Sequence, residues 1–161
     1  MKSNIKVDLT SAEKKKLRTS KVKMSDLHSY SADELEVLLG ASADRAKEVH
    51  ALIEFQQIPS IGIEFARDLI ALGYYAIDEL KHKQGAKLTD DFEKLKGFWI
   101  DPCVEDQFRL AVYYANTRDK SKNWWAFTKE RKQYREQNGY PASRPKTAWH
   151  ESIKSKAKQA K

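Results

Sequence analysis

The chain has 161 residues, 40% apolar and 33% charged, with a mean hydropathy of −0.75, which excludes a largely disordered or membrane-embedded chain. No apolar run approaches the roughly 18–20 residues of a bilayer span, and the start MKSNIKVDLT has no apolar leader. The net charge of +7 is unevenly spread: 8 Lys/Arg against 3 Asp/Glu in residues 1–30, 11 against 17 in 31–120, and 11 against 3 in 121–161, so attraction to a polyanion must come mostly from the ends.

The predicted elements are helical almost throughout. SAEKKKLR offers Ser11 as the cap of a short basic helix. SADELEVLLG pairs Ser31 with Glu34 in a capping box, sets Leu35, Leu38 and Leu39 on one face and ends at Gly40. SADRAKEVHALIEF starts at Ser42 and aligns Ala46, Val49, Leu52, Ile53 and Gln56. After Pro59, IGIEFARDLIALG puts Ile63, Ala66, Leu69 and Ile70 on one face and stops at Gly73. AIDELK and TDDFEKLKG read as short helical pieces. Asp101 caps PCVEDQFRLAVYYA, with Pro102 at the first helical position. NWWAFTKERKQYREQ is a last amphipathic helix, stopped by Asn138-Gly139, and the basic tail from Pro141 is expected to be weakly ordered apart from a turn near Trp149. No alternating strand occurs. The expected layout is a basic segment with a short helix in 1–26, a helical domain in 27–120, an amphipathic helix in 121–140 and a tail in 141–161.

Three stretches superpose as a weak repeat: LLGASADRAKEV, IPSIGIEFARDL and LKGFWIDPCVED. Each has a small residue after an apolar one (Gly40, Ser60, Gly97) and a second small residue six positions on (Ala46, Ala66, Cys103). The first permits a sharp turn and the second a close approach of two helices.

The middle copy resembles the helix-hairpin-helix motif, carried here by Ile58-Pro59-Ser60-Ile61-Gly62 with Ala66. More broadly, residues 27–116 resemble the bacterial pathogenicity-locus family, some of whose members are labelled mitomycin-resistance proteins, through FQQIPSIG, DLIALGYYAIDELK and DPCVEDQFRLAVYYAN. The resemblance implies an all-α fold of tandem helix-hairpin-helix units (SAM-like) with an added C-terminal helix, and a role in DNA binding. Its contacts would be backbone amides around Pro59, Ser60, Ile61, Gly62 and Ile63, helped by Arg67, holding phosphate without reading sequence. Hairpin carbonyls of related motifs can also hold a monovalent cation; no other cofactor and no metal site is expected. Two positions depart from the pattern: Ser60 replaces the first hairpin glycine, and Glu64 sets a negative charge in the first helical turn. The third copy supplies Lys96 and Gly97 beside Phe98 and Trp99.

The interleaved Trp124, Trp125, Phe127, Lys129, Arg131, Lys132 and Arg135 allow two readings. Either this is a nucleic-acid surface, or the aromatics dock the helix while the cations form a solvated face. The stretch EKKKLRTSKVK reads equally as a DNA-reaching arm or a solubilising run. His28, His50, His82 and His150 are scattered without metal spacing. Cys103 reads as a packed small residue rather than a nucleophile. As the lone cysteine it excludes an internal disulfide and suits a reducing, cytoplasmic location. Asp90-Asp91 and Glu105-Asp106 read as first-turn acids, although such pairs can serve a metal-dependent DNA-processing enzyme. The leading expectation is a non-enzymatic protein binding duplex DNA without sequence preference and with no membrane partner. The alternative is a helical adaptor whose core leaves nucleic acid alone.

Overall fold

A computed structural model describes residues 4–152. The chain is all-helical, with seven α-helices and three 3-10 turns among the described residues, joined by corners and one isolated bridge between Trp99 and Ala148. None of these helices is long and apolar enough to cross a membrane. The chain divides into two compact units between Glu79 and Leu80.

In the first unit, Thr10 rather than Ser11 caps α1 (Ser11–Thr19). Its hydroxyl accepts from the Glu13 N–H, and Glu13 returns a bond to the Thr10 N–H at 2.8 Å. After a 3-10 turn at Met24–Ser29, α2 (Ala32–Leu39) and α3 (Ala43–Phe55) begin at the expected caps, Ser31 and Ser42. Then follow α4 (Ile63–Ala71), Gly73 at a left-handed φ of 93°, and a 3-10 turn at Ile77–Leu80. Leu9, Leu17 and Leu27 are buried in one cluster with Leu35, Leu39, Ala46, Val49 and Ile53, so the basic N-terminal segment is part of this core. Glu13 is buried as well, and the Arg45 guanidinium holds its carboxyl below the usual range.

In the second unit, α5 (Gly85–Lys96) starts before the expected TDDFEKLKG piece, because Gly85 allows close packing on α6 (Pro102–Thr117). A Cβ at position 85 would sit 2.8 Å from the Arg109 Cα. Asp101 caps α6 through the Cys103 N–H at 2.8 Å, with Pro102 at the first position as the sequence implies. The expected last helix is split into a 3-10 turn at Trp124–Phe127 and α7 (Thr128–Asn138), which stops at Gly139. The segment after Pro141 differs from the expected loose tail. Trp99 donates to the Thr147 carbonyl at 2.9 Å, Trp149 donates to the Trp99 carbonyl at 2.8 Å, and Ala148 is buried. Residues 153–161, with Lys154, Lys156, Lys158 and Lys161 of the expected tail, lie outside the described residues.

Gly85→Ala should lower stability by about 1–3 kcal/mol, because Arg109 backbone atoms as well as its Cγ lie within 3 Å of the Cβ position, so moving the side chain alone cannot make room. Thermal denaturation followed by circular dichroism checks this, and an unchanged melting temperature would refute the close approach.

Candidate nucleic-acid interface

Three corners correspond to the superposed stretches, and each carries a left-handed residue at the expected small position: Gly40 (φ 60°), Ser60 (φ 60°) and Gly97 (φ 77°). Beyond that they differ in what happens to the amides of the next helix. At the first corner, the Ser42 hydroxyl accepts from Arg45 N at 3.1 Å. At the third, Ile100 N donates to the buried Glu93 at 2.8 Å, Trp99 N is taken by Thr147, and Asp101 caps α6. Lys96 there is exposed with its ammonium 5.5 Å from the Phe92 ring centre, and Gly97 serves as the C-cap of α5.

The middle corner is open. Ile58 and Ile61 are buried and anchor it, while Pro59 and Ser60 are half-buried. Gly62 is the N-cap of α4 in extended conformation (φ −104°), no side chain caps the helix, and no atom lies within 4 Å of where a Gly62 Cβ would be. The first N–H groups of a helix have no intrahelical partner, so those of Gly62 and Ile63 point outward with the positive end of the dipole. Beside them Glu64 is exposed and paired with Arg67 at 3.1 Å. Arg67 also pairs with Asp8 at 3.1 Å, so the expected helper cation is flanked by two carboxylates.

The sequence profile of the family described as Pathogenicity locus matches residues 48–133, more than half of the chain. The chain belongs to the pathogenicity-locus family. The match runs from within α3 to within α7 and takes in the middle and third corners. No curated protein and no solved structure matches this pathogenicity-locus protein.

In the aromatic and basic stretch of the pathogenicity-locus chain, neither of the two readings of the sequence holds for every side chain. Phe127 is buried against Tyr113, their ring centres 5.5 Å apart, and Trp124 is half-buried, but Trp125 is 57% exposed. Two of the four expected cations point inward. Arg131 Nε donates to Asp106 Oδ1 at 2.7 Å, and Asp106 is fully buried. Arg135 pairs with Glu105 at 2.8 Å and Asp90 at 3.0 Å. Only Lys129 and Lys132 of the four are exposed.

The acidic pairs are therefore not simple first-turn acids. Asp90 and Asp91 lie mid-helix in α5, and Glu105 and Asp106 are buried partners of arginines. Among the described residues no group of three or more His, Cys, Asp or Glu is arranged to hold a metal. Cys103, expected to pack, is exposed. The third corner reaches its helix cap two residues later than the other two, so the position four beyond the cap, filled by buried Ala46 and Ala66, falls on Glu105. Desolvation and then Asp101 push the Cys103 thiol upward, which keeps it protonated despite its place at a helix start.

The signal that separates the inward from the outward cations is chemical. Arginine, with a planar fork and weak hydration, suits buried carboxylates, whereas lysine favours water. Arg131→Met should cost about 3–5 kcal/mol by leaving Asp106 buried without its cation. Lys129→Ala and Lys132→Ala should stay within about 0.5 kcal/mol of the parent. Melting temperatures of the three variants check the contrast.

Proposed function

We propose that this protein is a non-enzymatic, sequence-independent DNA-binding protein. In this reading the corner at 58–63 is a helix-hairpin-helix hairpin, and duplex DNA is held by a backbone phosphate on the Gly62 and Ile63 N–H groups. The observation that carries this reading is the bare N-terminus of α4 at an exposed glycine with open space around it. Helices α5 and α7 also lack side-chain caps, but α5 begins at Gly85 packed against Arg109 and α7 runs straight on from the 3-10 turn at Trp124–Phe127, whereas α1, α2, α3 and α6 are capped. The extended φ of Gly62 is open to any residue, so the backbone does not ask for glycine there. What glycine provides is access: a phosphate can approach two outward amides with no side chain in the way. Lysines supply the screening-sensitive part of the affinity, among them Lys129 and Lys132. The hairpin-bound monovalent cation implied by the resemblance would act at the same corner, bridging carbonyl and phosphate oxygens.

One observation favours the adaptor reading instead. Arg67, the helper cation that the resemblance implies, is engaged by both Asp8 and Glu64 rather than free for a phosphate. Removing the basic N-terminal segment cannot separate the two readings, since it would also remove Leu9, Leu17 and Leu27 from the core. Point variants can.

Gly62→Asp supplies the missing cap, so stability should hold or rise by a few tenths of a kcal/mol. The same carboxylate occupies the amides, and affinity for duplex DNA should fall about fivefold or more. Glu64→Lys should raise affinity, and binding of the parent should weaken steeply with salt. Fluorescence anisotropy on duplex, nicked and single-stranded DNA across a salt series reads all three. Equal affinity of the parent and Gly62→Asp, with both folded, would remove the hairpin from the interface. No binding at low salt would leave the adaptor reading.

A further inference from the structure

A second surface lies outside the family match, on α1 and the turn that follows it. Lys14, Lys15, Lys16, Arg18, Lys21 and Lys23 are all exposed, and none forms an ion pair among the described residues. This sets them apart from Arg45, Arg67, Arg131, Arg135 and Arg144, each held by a carboxylate. Within the cluster is an apolar recess of about 280 Å³. Leu17 forms its floor at 4% exposure, Val22 and Met24 its wall, and Lys14 and Arg18 its rim on the same face of α1. Met24 remains 44% exposed.

We propose that this recess is a docking site for an acidic segment of a partner protein carrying one bulky apolar side chain. The cations recruit and orient the acids, and the recess takes the apolar anchor. The shape argues against other anionic occupants. A DNA duplex presents charge but no apolar knob, and would leave Leu17, Val22 and Met24 uncovered. A bilayer could take up only Met24, since Leu17 at 4% exposure is already covered, and a single methionine is a weak membrane anchor. The chain's own residues 153–161 carry four lysines and no acid, the wrong sign for this rim. Charge complementarity and concavity together point to a protein segment.

The test uses the full chain and a fluorescein-labelled synthetic peptide with one Phe set among glutamates, beside a twin with Ala in place of Phe. The Phe peptide should bind about tenfold more tightly than the twin, the gain expected from burying one aromatic side chain. Met24→Ser should bring the two peptides together, and the Lys14→Glu, Arg18→Glu double variant should abolish binding of both. Methyl resonances of Leu17, Val22 and Met24 should shift with the Phe peptide only. Gly62→Asp, aimed at the DNA corner, should leave peptide binding unchanged, so failure here is distinguishable from failure of the DNA reading. Equal affinity for the two peptides would overturn the proposal, as would no binding at low salt. Preference for phosphatidylserine vesicles or duplex DNA at this surface, abolished by Met24→Ser, would also overturn it, as would self-association of the chain through it.

Discussion

The second unit depends on the burial of three carboxylates. Glu93, Glu105 and Asp106 are each at most 1% exposed, and a charge so far from water is tolerable only when paired and hydrogen-bonded. Each draws in a different later piece of chain. Asp106 holds Arg131 and accepts from the Thr128 hydroxyl at 2.8 Å, which fastens the start of α7. Glu105 takes Arg109 from its own helix and Arg135 from a turn further along α7. Glu93 binds Arg144 through both carboxylate oxygens, at 2.9 and 3.1 Å, while accepting from Ile100 N. The Arg144 guanidinium lies 3.6 Å from the Tyr140 ring centre and 5.4 Å from that of Trp99, so the same contact orders the segment that reaches Ala148. Helix α7 and the segment from Tyr140 to Ala148 are tied down because the carboxylates require it.

The same division of labour holds in the first unit on a smaller scale. Glu13 caps α1 and at the same time receives Arg45 from α3, so one carboxylate fixes a helix start and the packing of two helices. A carboxyl held below its usual range lends stability that is present at neutral pH and lost as the pH falls through its lowered value. Arg45, Arg131, Arg135 and Arg144 therefore hold the units together, while Lys129 and Lys132 face water. The charge of residues 121–161 changes meaning accordingly: Arg131, Arg135 and Arg144 answer acids inside the protein, and the surface offered to a polyanion is largely lysine.

Local features of the fold were legible in the sequence. Ser31 with Glu34, Ser42, Asp101-Pro102, Gly73 and Asn138-Gly139 each fix a boundary by chemistry within a few residues, and the left-handed corner residues at 40, 60 and 97 follow from the same short-range logic. Partners 25 to 51 residues apart, such as Asp106 with Arg131 or Glu93 with Arg144, leave no periodic trace. The inward face of α7 and the docked segment after Pro141 were invisible for that reason. A count of charges treats Arg135 and Lys132 alike, although one is packed against Glu105 and the other is exposed. Cys103 was misplaced by two residues of extra corner, which no motif width encodes. The open corner was legible as a turn; that its amides are uncapped depends on what the neighbours do not supply.

That corner contains an inversion that the fold alone does not explain. Ser60 stands at a φ of 60°, where a side chain costs about 1–2 kcal/mol and glycine costs little. Gly62 stands at a φ of −104° at a helix N-cap, where Ser or Asp would be more stabilising. A sequence shaped only by stability would carry glycine at 60 and serine at 62. Ser60 meets part of its cost locally by donating to the Pro59 carbonyl at 2.6 Å, but among the described residues no side chain caps the amides at the start of α4. Local rules broken without an internal return concentrate where a protein meets something else. The inversion at 60 and 62 therefore supports a ligand at this corner more directly than the charge of the chain does, because charge has other uses in this structure, while Gly62, unlike Gly85 at the uncapped start of α5, meets no packing partner.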